Sequence, residues 1–210
     1  DHSVVVGRPG RIIRRLTEAD EAMILRMRGN DINLEGFEEH LIENEPAGGT
    51  EMGKLYALGD RTPQVADSAL IYDSAEITGD VTIGADSIIG SGVRIIGDTH
   101  GPVRIGKNVQ ILENTVLHLL PDNELIIEDH VTIGPGCIIH GTVIGAGSII
   151  ESGAILCDYS SIGRNCLVRS GTLVKQRSEF AQDLVLEGYP AKISGTLQGP
   201  NIRPAWALKR

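Results

Sequence analysis

The chain has 210 residues, 41% of them apolar but only 3% aromatic, with 26 glycines and a formal charge of −9 at pH 7. That length suits one substantial domain with an extension, and so few Phe, Tyr and Trp exclude the aromatic-rich core of an ordinary sandwich or α/β domain. The acidic balance excludes nucleic acid and anionic membrane as default partners, because phosphate recognition needs a basic footprint. No stretch approaches the ~20 apolar residues of a membrane span. The first residues carry neither the charged start nor the apolar core of a secretory leader. Cys137, Cys157 and Cys166 form no CxxC pair and leave an odd thiol, so a reducing, cytoplasmic setting is expected.

In chain order, residues 1–53 read as an N-terminal segment, 54–193 as the main domain and 194–210 as a tail. Within the first segment, residues 17–41 read as an α-helix. Thr17 can cap it, acidic residues occupy its first turn, and Ala22, Ile24, Leu25 and Met27 supply apolar positions. Residues 43–53, with Pro46 and a glycine pair, read as a linker, and residues 54–58 as a strand leading into the first coil.

From Ile77 the chain repeats every six residues, as in ITGDVT, IGADSI, IGSGVR and later IGKNVQ, IGPGCI and IGAGSI. An aliphatic residue opens each unit, a small or β-branched residue usually stands fifth, and turn formers lie between. Neither a helical 3.6 spacing nor long strands joined by loops generates this pattern. Six residues make one short strand and a corner, and three such sides close a triangular coil. The first and fifth residues then point inward and stack on their equivalents one coil away. The expected fold is an all-β parallel β-helix with an accessory N-terminal α-helix. Cys137 and Cys166 fall at inward fifth positions and are expected in the core.

Three units break the rhythm. Four extra residues lie around Thr99-His100-Gly101-Pro102, four more around Pro121-Asp122-Asn123-Glu124, and the unit from Ile139 is one residue short. Such interruptions bulge out at a corner, where loops on a rigid scaffold often carry function.

Stacking arithmetic locates candidate chemistry. Ile95, Leu117, Ile139 and Leu156 open units three apart, so Ile96, His118, His140 and Cys157 form one outward column. His118 and His140 are 22 residues apart, one 18-residue coil plus four inserted residues, and should therefore lie about 4.8 Å apart. Two imidazoles at that spacing can share a metal. On the neighbouring side, Ser91, Glu113, Pro135 and Ser152 form a second column. Cys157, one coil above His140, is the one thiol outside the core positions.

Segments RIGKNVQILENTVLH (104–118) and VTIGPGCIIHGTVIG (131–145), with Gly97-Asp98 and GPVRIG (101–106) upstream, resemble the γ-class carbonic anhydrases over roughly residues 55–193. The resemblance implies a left-handed winding, a homotrimer, and zinc (or iron or cobalt) held by three histidines from two neighbouring subunits. Carried over by position, the first ligand is His118 and the third is His140, but the second falls at Pro135, which cannot bind a metal. The family arginine of R-G-D is Ile96 here, its aspartate remains as Asp98, and the family glutamine and aspartate before the first histidine are Leu112 and Glu113. Arginine and glutamine replaced by Ile and Leu imply a more apolar cleft. Glu113 lies one coil below the lost ligand. Across the trimer it could complete a two-histidine, one-carboxylate site suited to iron or zinc, or it could match the family's equivalent acid, which lies behind the ligands and does not bind the metal. Asp98 reads as a loop-bracing or ion-pairing residue before a catalytic one, with Arg104 or Arg94 as partner. His100 is a flanking loop histidine in which a plain loop role outweighs a functional one. Tyr189, in the closing G-x-P stretch, is expected to pack, with a cleft-edge position as the alternative.

Residues 6–12 (VGRPGRI) also echo residues 187–193 (EGYPAKI). Hexapeptide proteins close their last coil with such a stretch, and γ-class anhydrases follow it with a helix like that expected here at residue 17. The segment 1–53 thus resembles the family's C-terminal cap, either permuted or belonging to a longer tandem protein, the latter being favoured.

The expected function is a divergent lyase or hydratase acting on a small organic substrate in an intersubunit cleft, with His118, His140, Glu113 and Asp98 as catalytic candidates and ordinary CO2 hydration doubtful. The alternatives are a non-catalytic assembly subunit, for which Pro135 speaks, and an acyltransferase or thioesterase-like enzyme with a histidine base.

Overall fold

A computed structural model describes residues 3–6, 11–15, 53–98 and 100–208. The helix expected over 17–41 and most of the linker lie outside the described residues. The chain forms two compact units, residues 1–50 and 51–210.

The second unit is a left-handed parallel β-helix, its coils as the six-residue period predicts and its hand as the family resemblance implies. Its first sheet stacks Lys54–Tyr56, Glu76–Gly79, Arg94–Gly97, Val116–Leu117, Ile138–Ile139, Ile155–Leu156 and Leu173–Val174. The second runs from Gln64–Val65 through Val103–Ile105, Leu125–Ile127 and Thr142–Ile144 to Glu179–Phe180, and the third from Leu70–Ile71 through Gln110–Ile111 and Thr132–Ile133 to Leu184–Gly188. Register follows the repeat. Leu117 pairs with Ile95 below and Ile139 above, and Ile139 pairs with Leu156.

Unit-opening residues fill the prism. Ile77, Ile95, Leu117, Ile139 and Leu156 on the first sheet, like Ile89, Ile111, Ile133 and Ile150 on the third, are fully enclosed. Each offers its side chain only to neighbours in its own and adjacent coils, and truncating one to Ala costs about 2–5 kcal/mol. The fifth positions hold small side chains where the triangle narrows. Cys137 and Cys166 are buried there as expected. The hydroxyls sharing these positions bridge successive coils, as where Ser148 donates to the Gly163 carbonyl and accepts from the Cys166 N–H. Ser87, Thr115 and Ser148 are paired in this way, as burial of a polar group requires, whereas the Thr172 hydroxyl in the same position of its unit has no partner.

The last coil closes with a hairpin, Leu184–Gly188 against Ala191–Thr196. In the first unit, Ser3–Val6 pairs antiparallel with Arg11–Arg15. The two hairpins share one register. Val6 faces Arg11 as Glu187 faces Lys192, Val5 faces Ile12 as Leu186 faces Ile193, and both carry an irregularity at the next step. The sequence echo is therefore also an echo of backbone pairing. Tyr189, at the turn of the closing hairpin, is 72% exposed, so it does not pack as expected: a two-residue hairpin turn projects it past the end of the stack.

After the hairpin the tail turns back down the outside of the prism. Asn201 bonds Asn165, Gly147 and Cys166, the Arg203 guanidinium donates to the Asn108 carbonyl at 2.7 Å, and Leu208 exchanges two hydrogen bonds with the Gln110 side chain. Among the described residues no helix is long and apolar enough to cross a membrane.

Candidate functional site

Both inserted segments emerge at one corner, between the first and second sheets, because each follows a first-sheet strand. They stack. Asn123 N–H reaches the His100 carbonyl at 3.5 Å, and Leu125 N–H donates to the Pro102 carbonyl at 3.1 Å. Gly101 lies so close to this second loop that a Cβ there would collide with the Asn123 carbonyl oxygen. The short unit after Ile139 lies above them. Gly141 is likewise pressed against the Asn123 side chain, which donates to its carbonyl at 3.0 Å.

His118 and His140 directly follow the paired strands Val116–Leu117 and Ile138–Ile139, so ladder register stacks them. Their rings meet edge to face, with centroids 6.2 Å apart. On the other side of His118, the His100 ring stands edge-on with centroids 5.9 Å apart. Three imidazoles therefore form a row, one from the inserted loop and two from successive coils. Asp98 turns back onto this row. Its Oδ1 accepts the His100 backbone N–H at 2.8 Å and lies 3.2 Å from His100 Nδ1. Ligand atoms of Asp98, His100 and His118 all lie within 4.8 Å of one another.

The arginines expected to pair with Asp98 are engaged elsewhere. Arg104 meets Asp80 at 2.6 Å, and Arg94 pairs with Glu76, its register neighbour one coil below. An outward side chain on a parallel stack meets the residue directly above or below it first, and that geometry captured Arg94; Arg104, whose register neighbour is Thr82, reaches instead to Asp80 just before the strand below. Arg61 instead donates to the Asp98 backbone carbonyl at 2.7 Å, holding the loop base.

One residue of the site went unmarked in the sequence. Asp158, only 5% exposed, follows Cys157 one coil above His140. Its Oδ1 accepts the backbone N–H groups of Leu120 at 2.9 Å and Gly141 at 3.1 Å, together with the Asn123 side chain at 3.1 Å. Its Oδ2 lies 3.6 Å from His140 Nδ1. Asp158 thus ties the second inserted loop to the histidine column and backs one histidine ring. The available signal was the unit LCDYSS, which puts a carboxylate at the third position where the equivalent units have Gly97, Leu119 and Gly141.

Other candidates fall as follows. Ser91, Glu113, Pro135 and Ser152 do form a column, at the corner between the third and first sheets, shown by ladder bonds such as Gly136 N–H to the Glu113 carbonyl at 2.9 Å and Gly153 N–H to the Pro135 carbonyl at 3.0 Å. Glu113 is not part of the cluster of Asp98, His100 and His118. Leu112 is buried within the single chain, between the register neighbours Gly90 and Gly134, so it does not line an open cleft; Ile96 is half-buried beside the histidine column. Burial, and then the Asp158 charge, push the Cys157 thiol above its usual value, which keeps it protonated at neutral pH and a poor nucleophile. A cavity of about 630 Å³ lies beneath the tail, lined in part by His130, Asn165 and Asp183, at a different corner from the histidine row.

The donor set suits a divalent metal. Imidazole with carboxylate fits zinc, iron or cobalt, and the Nδ1 atoms of His100 and His140 are both buried without a hydrogen-bond partner. A buried polar nitrogen left unpaired costs about 1–3 kcal/mol, a cost that ring adjustment around an ion would relieve.

A family profile described as the hexapeptide repeat of succinyl-transferase matches residues 124–157. The chain is 36% identical over 156 residues to a carbonic anhydrase of Geobacillus kaustophilus, covering 74% of this chain and 85% of that one. It is 31% identical to the mitochondrial gamma carbonic anhydrase 2 of Arabidopsis thaliana, over 79% of this chain and 59% of the plant protein. A crystal structure of a hexapeptide transferase family protein from Anaplasma phagocytophilum superimposes with a TM-score of 0.66 at 27% identity, covering 69% of this chain and 85% of that one.

Proposed function

The chain belongs to the γ-class carbonic anhydrase family of hexapeptide-repeat proteins, and on that footing we propose that it is a divergent member performing metal-assisted hydratase or lyase chemistry on a small organic substrate. The observation that carries this reading is the stacked pair His118 and His140, with centroids 6.2 Å apart and Asp158 behind His140. His118 and His140 would hold a zinc, iron or cobalt ion, which when bound would lower the pKa of a coordinated water and polarise a carbonyl-like oxygen. Asp158 Oδ2 lies 3.6 Å from His140 Nδ1, beyond hydrogen-bond reach as the ring stands; a small ring shift on metal binding would close that gap, leave Nε2 for the metal and give the carboxylate–histidine arrangement that raises ligand basicity. Asp98 holds the inserted loop through the His100 N–H, so the wall beside the metal is braced.

Efficient CO2 hydration is not the expected activity. Pro135 removes a ligand, Ile96 removes the family arginine and Leu112 the family glutamine. In a homotrimer of the family type, the column of Glu113 and Pro135 would face the histidines of the next subunit, and Glu113 would approach as a carboxylate. Exposed Ile138, with Val116, Ile155 and Leu173 outward on the same sheet, offers the apolar stripe such an interface would bury. A monomer at micromolar concentration by sedimentation would remove this intersubunit arrangement.

The test is metal content per subunit after purification without a metal-affinity tag, with hydration and dehydration of a small carbonyl panel measured alongside. A near-stoichiometric divalent ion, lost together with turnover in His118→Ala and His140→Ala, is expected. No metal after reconstitution with zinc, iron and cobalt would overturn the reading. Acyl transfer is the second reading, favoured by the match of residues 124–157 to the succinyl-transferase repeat. There His140, backed by Asp158, would act as a general base.

A further inference from the structure

Resting on the metal reading above, we infer that His100 takes the coordination position vacated at Pro135, so that one subunit by itself supplies three imidazoles, His100, His118 and His140, with Asp98 as the residue that positions His100. The family arrangement draws a histidine from a neighbouring subunit. Proline at 135 closes that route, and the four-residue insertion at 99–102 opens another.

Four observations carry this. His100 is already against His118, with ring centroids 5.9 Å apart, slightly closer than the 6.2 Å of the His118–His140 pair. The ligand atoms of Asp98, His100 and His118 lie within 4.8 Å of one another, while His140 stands outside that group and joins the row through the His118 ring. Ligands about 2.0–2.1 Å from a tetrahedral ion sit roughly 3.4 Å apart, a difference that small ring rotations can close. The His100 Nδ1 is buried and lacks a hydrogen bond, although Asp98 Oδ1 is 3.2 Å away. An adjacent carboxylate that does not complete its hydrogen bond leaves the ring free to turn either nitrogen to a cation. Finally, the loop is held in place. Asp98 Oδ1 accepts its N–H at position 100, Arg61 binds the Asp98 carbonyl, and Gly101 is packed on the Asn123 backbone. His100 is presented by a braced loop, so little ordering is left to be done on binding.

Glu113 is the competing third donor. It belongs to a column at a different corner, and its ladder partner is Gly136, so within one chain it stands apart from the row. It can reach the histidines only from another subunit. The two assignments therefore predict different variants to fail.

The experiment titrates zinc or cobalt(II) into metal-free full-length protein, reading affinity by calorimetry, the cobalt ligand-field spectrum, and the number of imidazoles by X-ray absorption. The variants are His100→Ala, Asp98→Asn, Glu113→Gln and His140→Ala, each with a thermal melt to confirm folding. The expected result is one ion per subunit with three imidazoles. His100→Ala should then lose more affinity than the roughly 10- to 100-fold typical of removing a ligand's hydrogen-bond partner. Asp98→Asn should lose an amount within that range while retaining three imidazoles, and Glu113→Gln should bind as the wild type does. Stoichiometric metal with His100→Ala unchanged and Glu113→Gln weakened would overturn this inference and leave the metal reading standing. No metal in the wild type would overturn both.

Discussion

At the corner between the second and third sheets, the coils turn alike: Asp86, Asn108, His130, Gly147, Asn165 and Asp183 each adopt a left-handed backbone, with φ between 54° and 71°. At the corner between the first and second sheets the coils turn differently. The inserted loop at 98–102, the inserted loop at 119–124, a unit one residue short, and the Asp158-Tyr159 turn follow one another. Asparagine, aspartate and glycine tolerate the left-handed conformation, and a uniform corner repeats its contacts from coil to coil. It carries the chain's own tail. The uneven corner breaks that repetition, and its irregular loops bring His100, Asp98 and Asp158 around two histidines that the repeat alone would have left as a bare stack. Regularity supplies the rigid frame and irregularity supplies the chemistry.

The largest effect is expected at Asp158. Its replacement by Ala strips the acceptor from the Leu120 and Gly141 N–H groups and from Asn123. Denaturant unfolding should show a loss of about 3–5 kcal/mol, with metal affinity falling as well; unchanged metal binding would separate the clamp from the site. On the uniform corner, Asn165→Ala removes bonds to Asp183, Gly199 and Asn201 and puts Ala at φ 54°. The expected cost is about 2–3 kcal/mol with metal affinity intact, and a loss of metal there would contradict the division of labour.

Cys137 provides a core reference between the two. Burial raises its thiol from 9.0 to about 11. The folded state keeps this proton where the unfolded chain releases it, so the contribution is fully present below pH 9 and is lost as pH rises to about 11. The expected loss is about 2–3 kcal/mol, measured by unfolding at pH 8 and pH 11 and reduced in Cys137→Ala. His118→Ala should have the smallest effect on stability, within about 0.5 kcal/mol, while abolishing metal binding. A large destabilisation would mean that the histidine row is structural.

Legibility divides along the same line. The period of six announced the coils, and adding a four-residue insertion to one 18-residue coil was enough to stack His118 on His140, because ladder register is a local, countable property. The inward placement of Cys137 and Cys166 followed from the same count. Asp158 escaped because its role lies in backbone N–H groups of a loop 38 residues earlier, and no side-chain pattern records which amide will need an acceptor. The partner of Asp98 was misjudged for a related reason. Charge complementarity admitted Arg94 and Arg104, but register handed Arg94 to Glu76, and Arg104 reached Asp80 just before the strand below. His100 looked like an ordinary loop residue until the fold of the insertion brought its ring against His118.

The tail that runs from the Asp183 coil down to Asn108 has a consequence for how the molecule comes apart. A stack whose coils touch only their neighbours unzips from its ends, one coil at a time, with each step costing only one interface. Here Leu197 is anchored to Asp183, Asn201 to Asn165 and Gly147, and Arg203 to Asn108, so the upper coils cannot peel away while the strap is seated. The strap behaves as a latch. Its long-range contacts raise contact order and form late in folding, and they turn a zipper that would fray from the top into a segment that must open as a unit.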